Sequence, residues 1–429
     1  MSATAPAHRR ARAAAMAAVL AAVLAGCGSS GVVEGGNNAF SATTLTVYTD
    51  LPLLGPDGAQ MTSVVNGEEL ALYQAGGHVG QLHVSLQELD DAADPAVSAP
   101  VTPSSGRQAA NSAHVAASDL STVAYIGDLD SAATAISLPL NNENGILQIS
   151  PGSSYSGFTD SSAVAPRGGS GVWYPNGHRT FARLVPSDAV EARATVGYMR
   201  SLGVRRLDLL ADDETPPYDS AIAALVAADA PAQAIAVAGS HSAIAMQSTA
   251  PGDYAKLAAE VAAEHPDAIL LGASPGAGAQ ALARELHARL PHAKLFAPST
   301  LAVPSFLGGL GAAAAATYVT SPILEPGQYP PAAQAVFASY RRLFPGASTS
   351  AYALYGYEAM EDVLRTIRLV GRQAANRSKL IYAFFHRLGR RDSVLGDYTI
   401  DAHGDSSLQR FDGYRVGAGG SLVLVRRLS

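Results

Sequence analysis

From Thr44 onward, short stretches in which apolar and polar residues alternate are interleaved with longer stretches whose apolar residues recur every three or four positions. The first kind suits half-buried strands and the second suits amphipathic helices. Thr44 to Thr49 is a β-branched alternation and predicts a strand, followed by the turn-rich Leu51 to Gly58. Met61 to Gln74 places Val64, Val65, Leu70, Ala71 and Leu72 on one broad helical face, closed by Gly76 and Gly77. The cycle then repeats: strand Gln81 to Leu89, helix Asn111 to Leu120, strand Val123 to Ile126, helix from Ser131, strand Ile146 to Ile149. After a break at 161–179 it resumes with helix Ala189 to Leu202, strand Arg206 to Leu210, helix Ser220 to Ala228 and strand Ala234 to Val237. Helix Tyr254 to Glu264, strand Ala268 to Leu271, helix Gln280 to Leu290 and a strand ending at Phe296 continue it. Strands alternating with helices predict an α/β class with parallel sheets covered on both faces, and two blocks of alternation predict two doubly wound lobes.

In such sheets ligands bind beyond the carboxyl ends of the strands, where strand order reverses, so the loops after strands carry the candidate chemistry. Two stand out. Val123 to Ile126 runs into Gly127-Asp-Leu-Asp-Ser131, where Ser131 suits a helix N-cap and the helix start offers N–H groups to an anion. Ile146 to Ile149 runs into Ser150-Pro-Gly-Ser-Ser154, whose small residues let a ligand approach the backbone. Taken singly, these are also ordinary caps and turns.

Before Thr44 the chain changes character. His8, Arg9, Arg10 and Arg12 precede the uncharged run Ala13 to Ala25, an arrangement of secretory leaders and too short to span a bilayer comfortably. The one cysteine of the chain, Cys27, follows at once, so no internal disulfide is possible. Leu24-Ala-Gly-Cys27 resembles the lipobox of bacterial lipoproteins, which implies cleavage after residue 26 and lipidation of Cys27, a membrane tether without a transmembrane helix. Residues 27–44, rich in serine, glycine and asparagine, read as a flexible linker. The formal net charge of −7 grows more negative once the leader's arginines are removed, and no cationic cluster remains to bind nucleic acid.

The two loops also carry a family resemblance. Gly127 to Ser131 and Ile149 to Ser154, in that order, are similar to the ligand loops of periplasmic binding proteins of the leucine/isoleucine/valine-binding type. Leu53-Leu-Gly-Pro56, Asn66-Gly-Glu-Glu-Leu-Ala71, Gly76 to Gly80 and Asp90-Asp-Ala-Ala-Asp-Pro95 resemble the family's opening segment, and Gly396 to Asp405 resembles its closing strand and turn. The resemblance spans the body from about residue 45 and implies a type I periplasmic binding protein fold, two Rossmann-like lobes joined by a three-crossover hinge. It implies lobe I at 45–184 with 326–393 and lobe II at 185–325 with 398–429. Ser131, Gly152, Ser153 and Ser154 would surround a ligand carboxylate; Tyr218, Ser274 and Ser299 would close from lobe II. Amino-acid binders of this type often carry an acid at the position of Ser299, so Asp128 or Asp130 supplies the charge, or the ligand is not an ordinary α-amino acid. The implied protein is a monomeric, lipid-anchored extracytoplasmic component of an ABC importer that delivers a small amino-acid-like or carboxylated ligand to a permease, with no cofactor and no catalysis. A lipoprotein that senses ligand without a transporter is the alternative.

Three other patterns compete. Gly272-Ala-Ser-Pro-Gly276 is a GxSxG between a predicted strand and helix, with Asp401 and His403 downstream, the order of a serine hydrolase, although no oxyanion loop precedes it. Gly276 to Ala281 imitates a dinucleotide loop without the acid that usually follows. The histidines, among them His83, His114, His178 and His241, lack partners at metal-ligand spacing, so no metal is expected. Trp173 and Tyr174 fall in a glycine-rich insert, Pro166 to Gly177, read as a surface loop.

Overall fold

The computed structural model describes residues 44–92, 104–160, 169–212, 218–244, 246 and 251–428. The leader, Cys27 and the linker to residue 43 lie outside the described residues. No helix among the described residues is long and apolar enough to cross a membrane.

The first sheet contains β1 (Thr44–Asp50), β2 (His78–Val79), β3 (Leu82–Leu89), β4 (Thr122–Gly127), β5 (Leu147–Ser150) and β6 (Phe181–Arg183). Its order is β2-β3-β1-β4-β5-β6, parallel except where β2 runs against β3. The second contains β7 (Arg206–Asp212), β8 (Ala236–Ile244), β9 (Ala268–Gly272), β10 (Lys294–Ala297), β11 (Thr317–Ser321), β12 (Phe411–Val416) and β13 (Leu422–Leu428). Its order is β13-β12-β11-β10-β9-β7-β8, with β12 and β13 antiparallel at one end. Each sheet reverses its winding beside its first strand, at β1/β4 and at β7/β9.

Helices follow the strands: α1 (Gly58–Gln74), α2 (Ser104–Ser118) and α3 (Ser131–Glu143), then α4 (Asp188–Ser201), α5 (Tyr218–Asp229), α6 (Pro251–Ala263), α7 (Ala277–Arg289) and the single turn α8 (Pro304–Leu307). Three more, α9 (Pro331–Leu343), α10 (Tyr352–Val370) and α11 (Arg377–His386), share one apolar core with β1, β4 and β5. The chain leaves the first sheet after β6, returns between β11 and α9, and crosses again before β12. Three crossovers thus join two α/β lobes, and the expected class and hinge are those of the structure.

Several expected boundaries shift. The second helix starts at Ser104, before the expected Asn111, because Ser104-Ser-Gly has the composition of a turn and only packing overrides it. β8 continues through Gly239 and Ser240 to Ile244, past the expected end at Val237, with register shifts against β7. Its glycine fits because a Cβ at 239 would sit 2.5 Å from Asp208 Oδ2. Gly396 to Asp405, expected as the closing strand and turn, forms isolated bridges and a turn, and the closing strands follow later.

The tightest helix crossing is α1 on α10. A Cβ at Gly67 would stand 2.0 Å from Ala353 O, and one at Gly356 would stand 2.0 Å from Val64 O, so each glycine admits the other helix's backbone. Helix propensity alone favours alanine over glycine by about 1 kcal/mol, but overpacking against rigid backbone costs more. Gly67→Ala is therefore expected to lower stability by about 1–3 kcal/mol, read as a lower urea midpoint.

Candidate functional site

Both reversal points face one cavity of about 180 Å³, room for on the order of a dozen water-sized groups. From the first lobe its wall includes Pro52, Leu129 to Ala132, Gly152 and Ser154; from the second come Tyr218, Asp219, Ile222, Ser274, Pro275 and Pro298 to Thr300. Ser131, Gly152, Ser154, Tyr218, Ser274 and Ser299, all expected at a ligand site, are brought together here. Ser153 is not on the wall. Its side chain is fully buried behind it, 3.2 Å from the Ser131 hydroxyl.

The first-lobe wall is built by two interlocked loops. Asp130, rather than Ser131, caps α3: its carboxylate accepts from Ala133 N at 2.8 Å, and its backbone is extended. Ser131 is released to accept from Tyr155 N at 3.2 Å. Ser150 Oγ donates to Asp128 O at 2.5 Å and accepts from Ser153 N at 2.8 Å, which fixes the turn after β5. Gly152 is needed because a Cβ there would meet Leu129 O at 2.8 Å. Arg183, fully buried at the end of β6, donates to Ser153 O and Tyr155 O from below.

Asp128 does not face the cavity. It turns back to Tyr125, Ser137 and Gln148, so of the two acids expected to supply charge only Asp130 reaches the wall. Sequence reasoning missed the others, which are Asp57, Asp188, Glu191 and Asp219. Glu191 accepts from Ser299 N and from Ser299 Oγ, both at 2.6 Å, so the acid that position 299 lacks arrives from α4. Ser274 donates to Asp219 at 2.6 Å, and Ser154 hydrogen-bonds Asp188. Lysine, arginine and histidine are not among the lining residues, while Val185, Ile222, Val303, Ile323 and Tyr352 supply apolar walls. A signal for Glu191 was present: Asp188, Glu191 and Thr195 share the helical stripe of Ala192, Val196 and Met199, and all six are buried. Acids on a buried stripe are not mere helix-dipole partners.

The lobes touch beside the cavity. Asp57 accepts from Ser305 N at 2.8 Å, and the Tyr218 ring packs edge-on against Tyr155 with centroids 5.0 Å apart. Tyr174 is buried under that aromatic group, and its hydroxyl donates to Phe158 O at 2.9 Å. The surface-loop expectation therefore fails for Tyr174, because the insert packs its aromatics inward. Residues 161–168 lie outside the described ones. The GxSxG serine, Ser274, faces an acid, and Asp401 accepts from the amides of His403, Gly404 and Asp405 in its own turn.

A family model described as periplasmic binding protein matches residues 51–420. Among solved structures, the leucine-binding protein LivK of Thermotoga maritima is 19% identical, with a TM-score of 0.72 over 90% of this chain and 98% of that one. A solute-binding protein of an R. palustris ABC transporter, in complex with benzoate, is 18% identical at TM-score 0.66, covering 90% and 96%. The branched-chain amino acid protein LivJ of Streptococcus pneumoniae, in complex with isoleucine, is 15% identical at TM-score 0.66, covering 89% and 99%. At such identities the likeness to each is one of fold. No curated protein matches the chain.

Burial raises the Glu191 carboxyl from its ordinary 4.5 to about 8, against the pull of the Ser299 hydroxyl and with repulsion from Asp188. Burial likewise raises Asp188 to about 6, opposed by Ser154 and Arg183. A carboxyl raised on folding holds its proton longer in the folded state, so it costs nothing below about 4.5 and destabilises progressively as pH climbs to about 8. The chain without solute is expected to melt lower at pH 8.5 than at pH 5.5. Glu191→Gln should flatten that slope in melts across the range.

Proposed function

The chain belongs to the periplasmic binding protein family, and from that premise we propose that it is the lipid-anchored, extracytoplasmic solute-binding component of an ABC importer. Its ligand is a small amino-acid-like or carboxylated molecule held between the lobes. Residues 45–184 with 326–393 form the capturing lobe in this reading, and 185–325 with 398–429 form the closing one. The observation that carries it is the cavity where Ser131, Gly152 and Ser154 oppose Tyr218, Ser274 and Ser299.

The two walls suit opposite ends of one molecule. The start of α3, with the Ser131 hydroxyl, suits a carboxylate. Glu191, Asp188 and Asp219 suit an ammonium, and Val185, Ile222 and Ile323 suit an apolar body between them. An amino acid offers all three features; an aromatic acid without an amine brings no donor to Glu191, Asp188 and Asp219. Capture on one lobe followed by closure of the other shifts the population toward the closed form, because only that form makes both sets of contacts. Solute leaves unaltered toward a permease.

A thermal-shift screen of the purified chain against amino acids, amides and organic acids should find stabilisation by an α-amino acid with an apolar side chain. Ser131→Ala with Ser154→Ala should weaken that ligand by roughly 1–3 kcal/mol in calorimetry, and unchanged affinity would remove these loops from the site. For the tether, Cys27→Ser should move the expressed chain from the membrane fraction to the soluble one.

A further inference from the structure

A second polar centre lies at the carboxyl end of the first sheet, outside the cavity wall. Asp50 ends β1, Asp91 follows β3 and Asp128 follows β4, and the strand order β3-β1-β4 makes these positions neighbours. One carboxylate oxygen from each lies within 4.8 Å of the other two, and all three residues are buried. Three oxygens so spaced share a point no more than about 2.8 Å from each, close to the span of Ca–O bonds.

Hydrogen bonds account for part of the group, Ser112 serving Asp50 as well, but not for Asp91 Oδ1. The Tyr125 hydroxyl stands 2.7 Å from Asp50 Oδ2 and 3.0 Å from Asp128 Oδ1, yet it has one proton to give. Ser137 and Gln148 serve the other oxygen of Asp128. Asp91 is 2% exposed, and its Oδ1 is buried with no hydrogen-bond donor among the described residues. The charges that act most strongly on Asp91 are acids, Asp128, Asp50, Asp130 and Asp90. Burial, followed by this mutual repulsion, holds the Asp91 and Asp128 carboxyls well above the usual range. Buried acids at this spacing persist only with protons or with a cation.

We propose that Asp50, Asp91 and Asp128 bind a hard divalent cation of the Ca²⁺ class. The donors are all oxygens, with no thiolate or imidazole to favour a softer metal, and a divalent ion offsets most of the negative charge that the three carboxylates carry when ionised. The ion pins Asp128, and with it the loop that delivers Ser131 to the cavity. It does not require the solute reading above to hold, and a chain that binds Ca²⁺ but no amino acid would keep this site and lose that function.

The test is calorimetric titration of the EDTA-stripped, purified chain with CaCl₂ at pH 7.5, paired with thermal melting. One equivalent of Ca²⁺ should bind and raise the melting temperature, Mg²⁺ should bind more weakly, and Asp91→Asn should weaken Ca²⁺ at least tenfold while Glu191→Gln leaves it unchanged. Absence of binding heat together with an unmoved melt overturns the proposal. So does a Ca²⁺ response that survives Asp91→Asn, or one that Glu191→Gln abolishes, since either puts the ion elsewhere. If Asp91→Asn fails to fold, Asp50→Asn replaces it and is held to the same tenfold loss.

Discussion

A buried guanidinium holds the site to the hinge. Arg183 is fully buried, and a charge in that setting costs several kcal/mol unless it is paired and hydrogen-bonded. Its Nε meets Asp405 at 2.9 Å, while its other nitrogens donate to Ser153 O, Tyr155 O and the Thr159 hydroxyl. Its own amide donates to Gly404 O at 3.0 Å. The loop after β5, the first crossover and the approach to the third are thereby fixed to one side chain. Lysine could not replace it, because one ammonium lacks the planar fork that reaches four partners in different directions. The cavity wall at Gly152 and Ser154 is in this sense a product of the hinge.

On that frame the cavity is organised by serine and carboxylate pairs. Ser299 with Glu191, Ser274 with Asp219 and Ser154 with Asp188 bring three hydroxyls to the wall with an acid beside each. A hydroxyl whose proton points at a carboxylate shows its lone pairs elsewhere, so these serines favour donors on a ligand. The Ser131 hydroxyl accepts from Tyr155 N and pairs with the Ser153 hydroxyl, and when Ser153 is the donor of that pair the Ser131 proton is left to give. The wall therefore has polarity across its width, with a donor side at the start of α3 and an acceptor side on the second lobe. An ammonium placed beside Glu191 would favour the charged form that burial disfavours, which couples occupancy to proton release.

The reading of loops as the seat of function depended on order along the chain. Ser131 and Ser154 stood out because each follows an apolar strand and a change of composition, features that local physics imposes. Glu191 gave a weaker sign, its place on the apolar stripe of α4, and Asp219 gave none, since an acid in the first turn of a helix is ordinary. Asp128 illustrates the reverse: adjacent to the site in sequence, it faces away from it, because Tyr125, Ser137 and Gln148 hold its carboxylate behind the wall. The aromatic insert around Trp173 and Tyr174 reads as solvent-facing from its glycines, yet Tyr155, Phe158 and Tyr218 provide a surface on which it buries.

Alternation of strand and helix periods, the loops at strand ends and the position of Cys27 were settled by the sequence, because each follows from hydrophobic patterning or from composition within a few residues. Which carboxylates meet which serines, and that Asp50, Asp91 and Asp128 converge, were settled only by folding. Those partners lie tens to more than a hundred positions apart, and the sheet order that brings them together is written in no local stretch of chain.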